Sequence, residues 1–331
     1  MKVGIIGATG AVGQQMIQCI EERKIEIEEL RLFASPRSEG KKQIVNGKEI
    51  TIQVVKEGSF EGLDVVLGAT SNAMAKEYAP AIKAAGALFI DNSSAFRLMD
   101  DVPLVIPNIN KEDIFKHNGI IANPNCSTII TCMAVYGINR ISKIKAMVAS
   151  TYQAVSGAGQ WGIVELGDQV KAIAHNESFE TKVFPHQIAY NCIPCIGSFK
   201  DDMFTTEEVK MENEGRKIMH LPELNVTCTC VRVPVYRSHS ISVSLALEKP
   251  ITLEEAKAAI NGENYVSVVD GDIYPMPLRT TDTDNVEVGR LRYDHVLENG
   301  IALWCCGDQI RTGAASNAVS IMQAWMEGMN K

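Results

Sequence analysis

Cys126 is the residue whose surroundings point most directly to chemistry. It lies in ANPNCSTII, where an amide-rich loop meets an apolar run of helical character. A helix N-terminus stabilises a thiolate, and the thiolate is the nucleophilic form of cysteine. Most cysteines are packed in a core, so the local sequence leaves both packing and nucleophilic catalysis open.

A nucleophilic cysteine needs a proton partner, and the chain has six histidines. His239 stands out in VRVPVYRSHSISVSL, because Pro234 interrupts the regular strand and Arg232 lies seven residues earlier. The arginine and the histidine would face one pocket if both lie at a strand corner, but spacing alone favours a solvated loop histidine. Arg237 competes with Arg232 for the cationic role.

The other eight cysteines have ordinary contexts. Cys192 and Cys195 form CIPC, which has the spacing of a redox or metal motif. Metal sites of this kind need a second ligand pair, and no second CxxC is present. We therefore expect no metal site.

A glycine-rich loop opens the chain in GIIGATGAVG, between a predicted strand and a predicted helix. Gly7, Gly10 and Gly13 are spaced GxxGxxG, which differs from the dinucleotide pattern GxGxxG but works in the same way. Glycines permit a tight turn, and the free N–H groups of the helix N-terminus bind a pyrophosphate. The spacing predicts a dinucleotide site, with a plain strand-turn-helix as the alternative.

The end of the second predicted strand, ASPRSEG, indicates which dinucleotide is bound. NAD sites usually place an acid there to bind the ribose hydroxyls. Here Ser35, Arg37 and Ser38 offer a cation and hydroxyls instead, and Glu39 comes late. This chemistry suits a 2′-phosphate, so the sequence favours NADP over NAD. A polar surface turn is the alternative.

The elements that position these residues form two groups. Up to Asn125, predicted strands alternate with predicted helices, which is typical of a doubly wound, mostly parallel sheet. The predicted strands are 2–7, 29–35, 48–55, 63–70, 87–96, 104–110 and 119–125, and the predicted helices are 7–24 and 72–86.

After Cys126 the pattern changes. Alternation with period two near 225–236 and over 240–248 indicates a half-exposed antiparallel sheet. Helices are expected over 127–139, 161–176 and 252–260, the last capped by Thr252. A strand within 300–310 and a closing helix over 313–330 complete the chain. We predict two domains, with the closing helix returning to the first.

Composition limits the functional classes. The 331 residues carry a formal net charge of −8 without a basic block, which argues against nucleic acid as a partner. No run of about 18 apolar residues occurs, so no membrane helix is expected. The start of the chain lacks a clear secretion signal, and an odd number of cysteines, nine, favours free thiols in the cytoplasm.

Five motifs follow one another along the chain: GATGAVG, NPNCST, YQAVSGAG, VRVPV followed by HS, and GAASNAV. In their sequence and in their order they resemble the aspartate-semialdehyde dehydrogenase family, over nearly the whole chain. NPNCST beside QAVSGAG is highly specific. Glyceraldehyde-phosphate dehydrogenases carry SCTTN around their cysteine, and N-acetyl-glutamyl-phosphate reductases carry an NPGCY-like sequence.

The resemblance implies an α/β fold in two parts. A Rossmann-like NADP-binding domain would comprise residues 1–125 and 310–331, and an α+β catalytic and dimerisation domain would comprise 126–309. The implied reaction is reduction of L-aspartyl 4-phosphate by NADPH to aspartate semialdehyde, NADP and phosphate, in lysine, threonine, methionine and diaminopimelate biosynthesis. The implied assembly is a homodimer, with a tetramer as the alternative.

The resemblance also assigns catalytic and substrate-binding roles by motif position. Cys126 corresponds to the nucleophile and His239 to the acid/base. Gln153 corresponds to a residue that orients the substrate, and Arg232 to the residue that binds its α-carboxylate. Glu214 matches a carboxylate near the substrate's amino group.

Three residues match phosphate-binding positions of the family: Arg97, Asn125 and Lys217. Arg97 has a simpler explanation as a surface ion pair with Asp100 or Asp101. Lys217 lies in VKMENEGRK, a charged stretch of the kind that usually forms a solvated helix face.

The implied cofactor contacts combine the glycine loop, the end of the second strand and three later residues. At the last of these, Gln309, the family often has asparagine near the nicotinamide. The implied contacts are Gly7, Thr9, Gly10, Ala11, Val12, Gly13, Ser35, Arg37, Ser38, Ser156, Gly157 and Gln309.

Three other functions compete with this interpretation. A related reductase such as N-acetyl-glutamyl-phosphate reductase would use the same chemistry on another substrate. A cysteine hydrolase would use Cys126 and His239 without the nucleotide loop. A catalytically inactive NADP-binding sensor would keep the fold without turnover.

Overall fold

A computed structural model describes residues 1–329 of the chain, and contacts within it define two compact units. Unit 1 comprises Met1–Asn125 and Ala314–Lys331, and unit 2 comprises Cys126–Gly313. Cys126 is therefore the first residue of unit 2. The prediction that the closing helix returns to the N-terminal part is confirmed.

The described residues contain thirteen strands and nine α-helices. The strands are β1 (Lys2–Ile6), β2 (Glu29–Phe33), β3 (Lys42–Val45), β4 (Lys48–Gln53), β5 (Val65–Gly68), β6 (Leu88–Asp91), β7 (Ile120–Ala122), β8 (Ile144–Gln153), β9 (Asn225–Arg232), β10 (His239–Leu247), β11 (Val266–Val268), β12 (Val286–Tyr293) and β13 (Ile301–Gly307). The helices are α1 (Ala11–Glu22), α2 (Asn72–Ala84), α3 (Pro107–Asn110), α4 (Cys126–Ile141), α5 (Gln160–Ala174), α6 (Thr206–Ile218), α7 (Leu253–Asn261), α8 (Pro277–Thr280) and α9 (Ser316–Met329).

Unit 1 is built on a sheet with the strand order β3-β4-β2-β1-β5-β6-β7. All neighbours in this sheet are parallel except β3 and β4. The apolar residues of the central strand β1 are buried, as expected where helices cover both faces of a parallel sheet. Helices α1 and α9 contact each other and add side chains to the same core.

Unit 2 contains a six-stranded sheet with the order β11-β12-β13-β10-β8-β9. The antiparallel sheet expected over 225–236 and 240–248 is found for β10 but not for β9, and β8 lies between the two strands. Strand β9 pairs in parallel with β8, and β10 pairs antiparallel with β8 and β13. Parallel strands need a long crossover connection, and the chain between β8 and β9 contains α5 and α6.

The strand expected over 104–110 is also wrong. Pro107 begins the short helix α3, and of this stretch only Leu104 bridges to the sheet, at Ala122. Proline lacks an N–H for the ladder and is well suited to the first turn of a helix. The predicted cap at Thr252 is confirmed, since its hydroxyl accepts from Glu255 N–H in a reciprocal capping box.

Within residues 1–329, the helices are all too short or too polar to span a membrane. The same residues contain no group of three or more His, Cys, Asp or Glu side chains arranged to hold a metal ion.

Candidate active site

Cys126 begins α4, so its thiol lies at the N-terminal end of a sixteen-residue helix. Its Sγ is 3.4 Å from Nε2 of His239. Gly313 makes room beside it, because a Cβ atom there would lie 2.8 Å from Cys126 Cβ. Of the nine cysteines, Cys126 is thus the one placed at a helix N-terminus against an imidazole, as a nucleophile requires.

His239 is the first residue of β10 and is fully buried, so it is not a solvated loop histidine. The backbone N–H of Ala154 donates to its Nδ1 at 3.0 Å. Nδ1 must therefore act as an acceptor, which places the proton of the neutral ring on Nε2, facing the Cys126 sulfur. His239 thus holds a donor toward the nucleophile.

Burial and the neighbouring charge of Arg232 lower the pKa of His239 to about 3, against a smaller opposing effect of Glu207. The imidazolium form is also disfavoured by geometry, because a proton on Nδ1 would meet the Ala154 N–H. His239 is therefore neutral over the whole physiological pH range.

The backbone just before His239 is constrained by Gln309. Ser238 adopts φ +72°, in the left-handed region, and is completely buried. Its N–H donates to Gln309 Oε1 at 2.7 Å, while Gln309 Nε2 donates to the Ser156 hydroxyl. Gln309 thus links the turn that carries His239 to the Ser156–Gly157 loop, in addition to any contact with a nicotinamide.

Gln153 ends β8 with a buried amide whose orientation is fixed on both sides. Its Oε1 accepts from the Thr151 hydroxyl at 2.9 Å, and its Nε2 donates to Glu207 Oε1 at 3.2 Å. The same Nε2 is 3.5 Å from His239 Nε2. The structure therefore joins Gln153 to the Cys126–His239 pair.

Glu207 and Lys210, in the first turns of α6, were not singled out from the sequence. Glu207 is buried, and its second oxygen accepts from Lys210 Nζ at 2.8 Å. A capping box at Thr205 and Glu208 fixes the start of this helix beside Gln153. A carboxylate and an ammonium group, spaced E-x-x-K, thus lie together at this cluster.

Glu214 and Lys217 have the same spacing two helical turns later on α6. Glu214 is 1% exposed and lies near Cys132 of α4. Burial, with the added charge of Glu214, raises the pKa of Cys132 to about 12. Lys217 is half-buried. The contact between α6 and Gln153 is made by Glu207, so the roles of Glu214 and Lys217 stay predictions.

Arg232 ends β9 and is only 7% exposed. It donates to the Ala154 carbonyl at 2.6 Å, and its guanidinium carbon is 5.9 Å from the centre of the Phe184 ring. A Cβ on Gly157 would lie 2.7 Å from the guanidinium. Burial lowers the Arg232 pKa, yet an arginine stays charged, so a desolvated cation is held here.

Arg237, the competing cation, has other partners. It forms ion pairs with Asp282 at 2.6 Å and with the buried Asp308 at 2.8 Å. Two carboxylates compensate its charge, whereas Arg232 donates to a carbonyl. Arg232 is therefore the better candidate for binding an anionic substrate.

The phosphate-binding candidates of unit 1, Arg97 and Asn125, lie at the loop that precedes Cys126. Arg97 is 7% exposed, so it is not a surface arginine. Its Nε donates to the Asn123 carbonyl at 2.9 Å and one terminal nitrogen to the Asn92 carbonyl at 2.8 Å. Asn125, the last residue of unit 1, is also buried.

The glycine loop of unit 1 is sterically determined. Gly7 adopts φ +79°, and a Cβ there would lie 2.1 Å from the Ala69 carbonyl oxygen. A Cβ on Gly13 would lie 2.3 Å from the Gly7 oxygen. Gly10 caps α1 without a side-chain hydrogen bond, and the first turn, from Ala11, has no acidic residue. The N–H groups there suit a pyrophosphate, and Thr9 is exposed beside them.

Arg37 lies in the short 3₁₀ turn Pro36–Ser38 after β2 and is exposed, as is Ser35. Glu39 forms an ion pair with Lys56 at 3.0 Å. In the part of the chain that the structure describes, no carboxylate pairs with Arg37. A free guanidinium at the end of the second strand of the sheet fits the 2′-phosphate of NADP.

Two family profiles match the chain. The profile described as "Semialdehyde dehydrogenase, NAD binding domain" matches residues 2–117. The profile described as "Semialdehyde dehydrogenase, dimerisation domain" matches residues 137–312.

Full-length relatives agree with these matches. The aspartate-semialdehyde dehydrogenase of Aquifex aeolicus (strain VF5) is 46% identical over 97% of both chains. That of Bacillus subtilis (strain 168) is 41% identical, over 98% of this chain and 97% of its own.

Solved structures show the same fold. Aspartate semialdehyde dehydrogenase II of Vibrio cholerae, complexed with ASA, has a TM-score of 0.97 and 40% identity over 98% of each chain. The Candida albicans enzyme, solved with NADP, has a TM-score of 0.75 and 25% identity, over 98% of this chain and 97% of that one.

Proposed function

This chain belongs to the aspartate-semialdehyde dehydrogenase family, and we propose that it reduces L-aspartyl 4-phosphate through a thioacyl intermediate on Cys126. The observation that carries the mechanism is the 3.4 Å approach of the Cys126 sulfur to Nε2 of a buried, neutral His239. The dehydrogenase activity follows from the family, and its alternatives as a different reductase, a hydrolase or an inactive sensor gain no support from the comparisons.

The nucleophile acts first. The Cys126 thiolate attacks the acyl carbon of the substrate, the sulfur–carbon bond forms, and the carbon–oxygen bond to phosphate breaks. NADPH, when bound, supplies the hydride that reduces the thioacyl group. The helix N-terminus at Cys126 stabilises the thiolate before attack and after the aldehyde is released.

His239 acts as a hydrogen-bond donor through Nε2. Because Ala154 occupies Nδ1, the neutral ring presents an N–H to the reacting centre. That N–H stabilises the oxyanion of the thiohemiacetal, and then the thiolate when the carbon–sulfur bond breaks. In the oxidative direction the thiolate adds to the aldehyde, and the same N–H stabilises the resulting oxyanion until hydride leaves its carbon.

The amino-acid end of the substrate requires a cation and an acid. Arg232 suits the α-carboxylate, because its guanidinium is desolvated and oriented by Ala154 and Phe184. We assign the amino group to Glu207, whose contact with Gln153 supports this choice over Glu214. Gln153, held by Thr151, orients the substrate.

The phosphate is assigned to Arg97 and Asn125, with a lysine of α6 as the second cation. Lys210 is favoured over Lys217 because it lies beside Glu207. Two carbonyl contacts orient the Arg97 guanidinium. Departure of phosphate from the acyl carbon is promoted by such cationic support.

The cofactor is NADP(H). The glycine loop and the start of α1 suit its pyrophosphate, and Arg37 with Ser35 and Ser38 suits its 2′-phosphate. For Ser156, Gly157 and Gln309 we propose contacts near the nicotinamide. In Gln309 both ends of the amide already bond within unit 2.

We propose a homodimer formed through the sheet of unit 2, whose profile match is a dimerisation domain. The rings of Tyr152 and Trp304 pack at a tilt of 44°, with 5.3 Å between their centres. Tyr152 and Val148 on the same face are 40% and 42% exposed. An exposed aromatic face of this kind suits a second copy of the chain. A cytoplasmic location is supported by nine free cysteines.

The test is the oxidative reaction. Purified protein is mixed with aspartate semialdehyde, phosphate and NADP, and NADPH is followed by absorbance. We expect phosphate-dependent NADPH formation that disappears in Cys126→Ala. Activity with N-acetyl-glutamate semialdehyde alone would assign the chain to the related reductases, and NADP binding without any turnover would favour a sensor.

A further inference from the structure

The candidate phosphate site of unit 1 is connected to the C-terminal helix by three asparagine side chains. Asn317 of α9 donates to Asn123 Oδ1 at 2.7 Å, and Asn123 donates to Asn92 Oδ1 at 2.9 Å. Asn92 in turn donates to the Gly68 carbonyl at 2.7 Å. We call Asn317, Asn123 and Asn92 the amide relay. Its amides bond in one direction, so each orientation determines the next.

The amide relay ends on the backbone that orients Arg97. The carbonyls of Asn123 and Asn92 both accept hydrogen bonds from the Arg97 guanidinium. The side chains of the same two residues are joined within the relay. A shift of either residue therefore moves an acceptor of Arg97.

Asn317 stabilises the far end of this arrangement. It is 7% exposed, and its amide nitrogen also donates to the Val105 carbonyl at 2.9 Å. Asn123 makes a further contact, 3.3 Å to the Ala314 carbonyl just before α9. The amide nitrogen of Asn317 thus bonds both to the Val105 carbonyl and to Asn123 Oδ1. Loss of Asn317 leaves these two buried acceptors without that donor.

Asp91 is the ionisable group nearest this arrangement on the β6 side. It is fully buried, and its carboxylate accepts from Ser93 N–H and hydroxyl at 3.1 and 2.5 Å. Burial raises its pKa, against the opposing effects of Ser93 and Arg97. The loop that carries Arg97 is thus fixed at its start by Asp91 and at its acceptors by the amide relay.

We propose that Asn317 is a positioning residue for the phosphate site, acting on Arg97 through Asn123 and Asn92. This inference rests on the proposed role of Arg97 in binding phosphate. Asn317 sets the orientation of the Arg97 guanidinium, and the binding of a phosphate by a guanidinium depends on geometry as well as on charge.

The experiment measures KM for phosphate in the oxidative reaction, together with KM for aspartate semialdehyde and for NADP. In Asn317→Ala we expect KM for phosphate to rise about tenfold, and the other two KM values to stay within about twofold. A purely structural role would move all three values or the amount of folded protein, and that result would overturn the proposal.

Ser320→Ala is the matched control. Ser320 also lies on α9, and its hydroxyl accepts from Arg23 of α1 at 2.8 Å, so its loss weakens the attachment of the same helix. We expect its thermal stability to fall without a change in KM for phosphate. An equal rise of this KM in Ser320→Ala would contradict a specific role of Asn317.

A double-mutant cycle with Arg97→Lys separates the two proposals. If Asn317 acts through Arg97, adding Asn317→Ala to Arg97→Lys raises KM for phosphate by much less than it does in the wild type. Additive effects would overturn the positioning role. If Arg97→Lys leaves KM for phosphate unchanged, the phosphate role of Arg97 itself fails.

Asn317→Ser and Asn123→Ser give the same test if the alanine variant does not fold. A serine at either position keeps a small polar group but cannot span two acceptors. We expect both to raise KM for phosphate selectively, with Asn123→Ser the larger because it lies next to Arg97. Unchanged KM values in both folded variants would contradict the amide relay.

Discussion

The catalytic cluster of unit 2 and the nucleotide loop of unit 1 achieve specificity in different ways. Around His239, side chains are buried and bond to one another, and the local charge and burial lower the histidine's pKa to about 3. Around Gly7, the backbone itself determines the conformation. The cation expected to select the cofactor, Arg37, is exposed and unpaired within residues 1–329.

Substitutions in the two regions are therefore expected to have effects of different size. In a desolvated cluster the interactions are strong and depend on one another, so loss of one member is severe. A loop of backbone N–H groups with an exposed cation distributes its binding energy over many weak contacts. Variants of the catalytic cluster should therefore abolish turnover, while variants of the glycine loop and of Arg37 should tune cofactor affinity.

The largest expected effect is that of Cys126→Ala. Removing the sulfur removes the covalent intermediate, so kcat should fall by about 10⁴-fold or more. NADP binding, measured by fluorescence titration, should be unchanged. Cys132→Ala, on the same helix, is the control and should retain activity; substantial turnover in Cys126→Ala would refute the role of the thiol.

His239→Ala should lower kcat by about 100-fold to 10,000-fold, because the donor at Nε2 is lost. His186→Ala, at an exposed position, should leave kcat within about twofold. Steady-state kinetics of both variants checks this. A His239→Ala enzyme with nearly full kcat would mean that another group stabilises the oxyanion.

Gly13→Ala tests the glycine loop of unit 1. The added Cβ would lie 2.3 Å from the Gly7 carbonyl oxygen, so the loop must shift. KM for NADP should rise about tenfold, equivalent to about 1.4 kcal/mol. Gly167→Ala on α5 has room for its Cβ, with 3.6 Å to Tyr236 Oη, and should leave this KM unchanged.

Arg37→Ala should lower the preference for NADP over NAD by about tenfold, with little change in kcat, because one cation to the 2′-phosphate is lost. The measurement is kcat/KM for both dinucleotides. Lys41→Ala, a nearby exposed cation, is the control. An unchanged preference in Arg37→Ala would assign the 2′-phosphate to another group.

The smallest expected effect is the dependence of kcat/KM on pH. Because the pKa of His239 is lowered to about 3, its protonation should not reduce kcat/KM between pH 8 and pH 5. Unfolded histidine titrates near about 6.5, so the unfolded chain binds this proton first. The free energy of unfolding should therefore fall as pH decreases from about 6.5 toward about 3.

Urea unfolding of wild type and His239→Asn at both ends of that pH range checks this sign. The wild type should lose more stability on acidification than the variant. The claim that His239 is neutral would be contradicted if kcat/KM of the wild type falls near about pH 6.5 while the rate of a pH-independent reference reaction does not.

Much of the fold is predictable from local sequence. The β1–glycine loop–α1 unit is predicted because periodicity, glycine spacing and position agree. The helix at Pro107 was missed because apolar LVI before proline looks like a strand. The neighbours of β9 could not be derived from alternation, since strand order depends on how the long crossover through α5 and α6 packs.

The site shows the same limit. Cys126, His239, Gln153 and Arg232 follow from motifs and meet in unit 2. Glu207 could not be preferred over Glu214, because both begin an E-x-x-K pattern and positions seven apart lie on the same face of a helix. Our proposal of Glu207 rests on its hydrogen bond with Gln153, a contact that only the folded chain shows. The contacts of Gln309 and the amide relay likewise depend on long-range geometry.

The most direct test of the central claim is a pre-steady-state measurement of the acyl group on Cys126. Enzyme is mixed with aspartate semialdehyde and NADP in the absence of phosphate, and NADPH formation and protein mass are followed. We predict a burst of about one NADPH per active chain, a thioacyl adduct on the Cys126 peptide, and turnover only after phosphate is added. A burst without an adduct at Cys126, or turnover that proceeds without phosphate, would contradict this prediction.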